Sequence, residues 1–173
     1  MKLEYPITIG YSEENNIKGC FYTLQKNEEK SIEVTASSHR ILNSSPQSVI
    51  MGRRGCDFHS ENVPLSWLEV NLKNGFYIKP DSYVFGHFHP VSDLNGRTQN
   101  WELFGKFDDG SYIQLDFQKS ITNQEFIQKY DLDTNVKFVG FKLVGGKRGC
   151  GDDYLCVGNF EVFGTIIKEE EDC

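Results

Sequence analysis

Hydrophobic residues in this chain recur mainly at every second position, in short runs rich in Val, Ile, Tyr and Phe; a 3.6-residue period held over three turns scarcely occurs. That alternation is what half-buried strands require, and it predicts an all-β domain. The expected strands are Cys20 to Leu24, Ser31 to Thr35, Trp67 to Leu72, Phe76 to Ile78, Ser82 to Phe88, Asn100 to Phe107, Tyr112 to Phe117, Val136 to Val144 and Tyr154 to Ile167. Turn chemistry separates them: Lys73-Asn74-Gly75, Asp108-Asp109-Gly110 and Gly145-Gly146. Short strands joined this way favour a β-sandwich jelly roll over a βαβ fold. One helix of about two turns is expected, with Thr122 capping Asn123 to Tyr130 and Phe126, Ile127 and Tyr130 on one face.

With 173 residues the chain has the length of one domain, placed at 1–167, followed by the acidic run Lys168 to Cys173, expected to be solvated and mobile. No apolar run approaches the ~20 residues of a membrane-spanning helix, and Met1 to Gly10 has no secretory leader pattern. Lys plus Arg number 18 against 25 Asp plus Glu, a net charge of −7, which disfavours nucleic acid as a partner. The five cysteines, Cys20, Cys56, Cys150, Cys156 and Cys173, form no Cys-x-x-Cys pair. They read as mostly reduced thiols in a cytoplasmic setting; a Cys56–Cys150 bridge, or one from Cys20 to a C-terminal cysteine, would instead indicate export.

Two long loops, Ala36 to Ser66 and Phe88 to Gln99, interrupt the strand rhythm and hold His39, Arg40, Arg53, Arg54, His59, His89 and Arg97. Loops this long inside a compact domain are usually functional, so a binding site is expected there. His87 and His89 share one face if the strand continues, and with Cys56, Asp57 or His59 they could seat zinc. The spacing is too loose for a structural zinc site, and no metal is expected. Imidazole and guanidinium groups could equally orient sugar hydroxyls or an acidic peptide. Arg53-Arg54 and Lys147-Arg148 could together form a positive spot able to hold a carboxylate or phosphate. Trp67 and Trp101, each within a strand-like alternation, are both assigned to the core. Catalytic motifs are missing: there is no Gly-x-Ser-x-Gly elbow, phosphate loop or His-Glu-x-x-His, and a Cys56/His59 pair has no orienting third group. No enzyme activity and no cofactor are expected.

The order of several short segments carries a resemblance. Val34-Thr35-Ala36-Ser37-Ser38 is followed by Ser66-Trp67-Leu68-Glu69-Val70-Asn71-Leu72, Pro80-Asp81-Ser82-Tyr83, Asn100-Trp101-Glu102-Leu103-Phe104-Gly105 and Tyr154-Leu155-Cys156-Val157-Gly158-Asn159-Phe160-Glu161-Val162-Phe163-Gly164. From Tyr5 to Ile167 the chain resembles the discoidin domain, the coagulation factor 5/8 C-terminal type, in its intracellular branch. The resemblance implies a galactose-binding-like jelly roll that binds glycans, lipid head groups or proteins through loops at one end. It also implies ligand contacts at His59, at His87 and at Asp93, Asn95 or Arg97, with Phe58 and Tyr154 as stacking surfaces. His89, Arg54 and Arg148 complete the candidate set. The chain departs from the family where Phe85-Gly86-His87 and Lys137-Phe138-Val139-Gly140-Phe141 replace stretches that usually carry arginines. A loop calcium, which relatives often hold, is not expected, because the acidic-Gly pattern is missing. The resulting expectation is a non-enzymatic module for a protein or peptide partner, with a carbohydrate-binding module as the alternative.

Overall fold

The computed structural model describes residues 2–40, 45–54, 58–87, 98–119, 127–145 and 155–170. Its strands are β1 (Ile7–Ile9), β2 (Ile32–Ala36), β3 (Phe58–His59), β4 (Trp67–Leu72), β5 (Phe76–Gly86), β6 (Trp101–Lys106), β7 (Tyr112–Gln118), β8 (Ile127–Asp131), β9 (Gly140–Gly145), β10 (Cys156–Val157) and β11 (Asn159–Lys168). One helix, α1 (Cys20–Asn27), and a 3₁₀ turn over Pro46–Ile50 accompany them. Sheet order is β1-β11-β5-β8 in one layer and β2-β4-β9-β6-β7 in the other, with a β3-β10 ribbon at one end. All named strand pairs are antiparallel. This is the β-sandwich expected from the alternation. The inner faces meet in one core that includes Leu68, Val70, Tyr83, Phe85, Trp101, Leu103, Phe141, Leu143, Phe160 and Val162.

The turn signals hold, with one change of role. Asn74 and Gly75 both have positive φ, 58° and 72°, and Phe76 N–H donates to the Lys73 carbonyl at 3.3 Å. The left-handed pair suits Asn-Gly, yet the turn carries the chain from one sheet to the other and does not close a hairpin. Asp108 to Gly110 does close one, between β6 and β7. The run Phe76–Ile78 and the one that starts at Ser82 join in the 11-residue β5, which passes through Pro80 and ends at Gly86. Proline is tolerated there because the β5–β11 register slips beside it, leaving a bulge.

Two expected elements differ in kind. Cys20 to Leu24, expected as a strand, opens α1, whose buried residues are Cys20, Phe21 and Leu24. The deciding partner is distant in sequence: the Glu161 carboxylate accepts the N–H groups of Phe21 (2.7 Å), Tyr22 (3.0 Å) and Val162 (2.9 Å). It satisfies helix N-terminal donors that no local side chain caps. Gly19 is required at this approach, since a Cβ there would lie 2.6 Å from Glu161 Cγ and from the Val162 carbonyl oxygen. Burial pushes the Glu161 carboxyl up to about 8, against the opposing pull of those N–H groups. The second difference is Ile127 to Tyr130, expected at the end of a helix and found within β8 along β5. Tyr130 stacks on Tyr83 at 5.1 Å between centroids, so an available sheet edge and an aromatic partner outweigh the local helical spacing. Thr122 to Phe126 lie outside the described residues.

The start of the acidic run is held. Lys168 ends β11, Glu169 N–H donates to the Gly75 carbonyl at 2.9 Å, and the Glu169 carboxylate pairs with Lys137. Among the described residues no helix is long and apolar enough to cross a membrane.

Candidate functional site

Register brings the long loops to one end of the sandwich. Trp67 opens β4 opposite Val144 near the end of β9, Gly145 pairs with Trp101 at the start of β6, and Gly86 ends β5 opposite Asn159. The chain therefore enters or leaves 37–66, 87–100 and 146–155 at the same edge, while Lys73 to Gly75 and Asp108 to Gly110 close the opposite one. At the loop end, β10 is the post to which the segments are tied. His59 lies across from Cys156 in the β3–β10 register, Ser60 N–H donates to the Leu155 carbonyl at 3.0 Å, and Leu155 N–H donates to Ser60 Oγ at 2.8 Å. On the other side of β10, Thr98 Oγ1 accepts from Cys156 N–H at 2.8 Å and donates to its carbonyl at 3.1 Å. Gly158 N–H donates to the Gly86 carbonyl at 2.8 Å. Both ends of the 88–97 segment, His87 and Thr98, thus flank β10, with His59 against it.

The expected ligand-contacting residues divide sharply. His59 is half-buried, with Nδ1 3.5 Å from Cys156 Sγ, and its carbonyl accepts from Arg40 N–H at 3.0 Å. Arg54 is exposed on the same end. Phe58 is corrected: it is fully buried in the core and cannot offer a stacking face, since its β3 neighbour His59 takes the other side of the ribbon. His39 instead stacks on Phe58 at 6.1 Å between centroids. His87 is corrected likewise. It shares the inward parity of Phe85, is only 4% exposed, and packs its ring 5.2 Å from that of Phe85. It supports the loop end from below. His89, Asp93, Asn95, Arg97, Arg148 and Tyr154, with Cys56 and Asp57, lie outside the described residues.

Asn159 contributes a polar group that the sequence reading passed over. Its Nδ2 donates to the Arg53 carbonyl at 2.9 Å, and its Oδ1 is buried without a hydrogen-bond partner. Cys20 and Cys156 are buried thiols outside any disulfide, and burial with the nearby Glu161 and Asp81 carboxylates holds the Cys20 thiol well above its usual range. Such a thiol is a poor nucleophile.

Trp67 is also corrected. It lies on the opposite parity from the buried Leu68, Val70 and Leu72, and so faces out of the sheet, half-buried, with Lys142 Nζ 4.7 Å from its ring. Beside it is a depression of about 210 Å³ lined in part by Ser37, Ser38, Glu61, Val63 and Leu65. Alternation along β4 could have signalled Trp67; nothing local singled out the serines or Glu61.

No known family profile and no curated protein matches this sequence. Solved structures do match. The family 32 carbohydrate-binding module of Clostridium perfringens NanJ, solved with galactose, aligns with a TM-score of 0.61 at 16% identity over 79% of this chain and 93% of the module. The C-terminal domain of a Bacteroides fragilis chitobiase gives a TM-score of 0.66 at 14% identity, over 81% and 97% respectively. A fucose-binding module of Streptococcus pneumoniae gives 0.61 at 17%, over 76% and 89%. At these identities the likeness establishes the fold, a galactose-binding-like β-sandwich, which discoidin domains share. The preference for a protein or peptide partner is overturned here, because these neighbours include carbohydrate-binding modules solved or named with their sugars.

Proposed function

We propose that the chain is a non-catalytic carbohydrate-binding module of discoidin type that recognises a sugar at the β3–β10 end of the sandwich. The observation that carries this reading is the alignment with sugar-binding modules over nearly their whole length. The chemistry of the loop end supports it. His59 lies across from Cys156 in β10, Arg54 follows Arg53, whose carbonyl accepts from Asn159 at the start of β11, and the segment tethered by His87 and Thr98 carries His89, Asp93, Asn95 and Arg97. Donors and acceptors of these types orient sugar hydroxyls, and Tyr154 offers a ring for the apolar side of a pyranose. Arg148, in the adjoining segment, adds a further donor. The whole site belongs to one unit spanning 1–167, and the buried Cys20 thiol, outside any disulfide, favours the cytoplasm as its setting.

A glycan-array screen of the purified chain tests the proposal, run beside His59→Ala and Arg97→Ala variants whose folds are checked by thermal melting. Binding to a defined sugar, weakened in the variants at unchanged melting temperature, is the expected result. A blank array from a well-folded protein contradicts it.

A further inference from the structure

The depression beside Trp67 is a feature that the donors around β10 do not use. At about 210 Å³ it is smaller than the ~300–1,000 Å³ of sites for drug-sized ligands, so it accommodates a single ring. Its walls are fixed by hydrogen bonds between main-chain groups and serine hydroxyls. Trp67 N–H donates to Ser37 Oγ at 2.9 Å, Glu61 N–H donates to Ser38 Oγ at 2.9 Å, and Ser66 Oγ donates to the Val63 carbonyl at 2.8 Å. Lys142 over Trp67 restrains the indole. Preorganisation of this kind lowers the ordering cost of binding.

Three features define what would fit. Val63 and Leu65 are 49% and 64% exposed, and Leu65 holds a positive φ of 59°, a conformation that bulky residues rarely adopt. Strain at such a position is typical of ligand-contacting loops. The Glu61 carboxylate is exposed and makes no hydrogen bond or ion pair in the described structure. A carboxylate only accepts, so the ligand group nearest it must donate. Acidic sugars are disfavoured by that carboxylate and by the chain's net charge of −7. An acetamido group supplies an N–H donor and a methyl on neighbouring atoms, and a pyranose supplies a C–H face for the indole.

We infer that this depression is a subsite for an N-acetylated amino sugar, its ring against Trp67, its amide N–H on Glu61 and its methyl against Val63 and Leu65. The inference rests on the carbohydrate-binding reading and names a sugar class for a second position at the same end.

The chain has two tryptophans, so fluorotryptophan labelling gives two fluorine resonances, with Trp67 assigned by its loss in Trp67→Phe. N-acetylglucosamine and N-acetylgalactosamine are titrated in, with glucose, galactose and glucuronate as controls. The Trp67 resonance should move saturably with one of the acetamido sugars and about tenfold more weakly with the unacetylated ones, while Trp101 stays still. Glu61→Gln should weaken the response about tenfold. A Trp67 resonance that ignores both acetamido sugars, or answers acetylated and plain sugars alike, overturns the inference. Histidine side-chain resonances, recorded on the same samples and with any array-positive sugar, separate the two levels. If His59 responds and Trp67 does not, the subsite falls and the carbohydrate-binding reading stands; if neither responds to any sugar, both fall.

Discussion

Trp67 and Trp101 open β4 and β6, the two strands that flank β9 in one sheet, and serve opposite purposes. Trp101 is wholly buried: it stacks on Phe85 at 4.2 Å, its Nε1 donates to Tyr83 Oη at 2.9 Å, and Tyr83 in turn donates to Asp116 at 2.7 Å. Trp67 looks outward, flanked by Lys142 and a shallow depression. The difference is one of parity. Trp101 alternates in step with Leu103, whereas Trp67 is out of step with Leu68, Val70 and Leu72. A large aromatic residue on the unburied parity of a strand is surplus to the core and therefore available for recognition.

The comparison is most easily broken at Trp101. Trp101→Ala should cost about 3–5 kcal/mol, since it empties a buried site and strips Tyr83 of its donor; a chemical denaturation curve measures this, and a loss below about 1 kcal/mol would dissolve the contrast. A second effect of several kcal/mol arises at α1. Below pH 4.5 Glu161 is protonated in both folded and unfolded chains; between there and about 8 the unfolded chain releases its proton and the folded one retains it. Stability should therefore fall as pH rises through that window, by on the order of a few kcal/mol, and the slope should flatten in Glu161→Gln. Melting temperatures of both proteins between pH 5 and 8 decide it; a slope of the opposite sign would mean that the N–H groups win over burial.

Smaller effects sharpen the outer half of the comparison. Trp67→Ala should change stability by less than about 1 kcal/mol while abolishing the response to N-acetylated sugars, as thermal melting and titration report. Leu65→Gly should be neutral or stabilising by a few tenths of a kcal/mol, because glycine adopts the positive φ without strain. Its affinity for the acetamido sugar should nevertheless drop, measurable by calorimetry. Loss of stability there would show that Leu65 packs in place rather than waiting for a ligand.

The sandwich was legible in the sequence because period-two alternation and Asn-Gly or Asp-Gly turns act locally. The gathering of long loops at one end follows from the resemblance to discoidin domains and not from any local pattern. What escaped depended on partners far along the chain. α1 is capped by a carboxylate 140 residues away from Phe21, and β8 is decided by the edge of β5 and the ring of Tyr83. Phe58 and His87 differ from expectation for a simpler reason: the resemblance to discoidin domains implies ligand contact at both positions, whereas strand parity, readable only once β3 and β5 are bounded, turns both inward. Glu61, Ser37 and Ser38 are ordinary polar loop residues; only the bonds from the Glu61 and Trp67 N–H groups to the Ser38 and Ser37 hydroxyls give them a shared cavity.

The most direct test is a map of backbone amide shifts on addition of whichever sugar the array selects. Recognition at the loop end predicts that the shifted amides cluster at Ser37–Ser38, His59–Glu61, Thr98 and Cys156. Shifts confined to the opposite end, around Lys73 to Gly75 and Asp108 to Gly110, would contradict it.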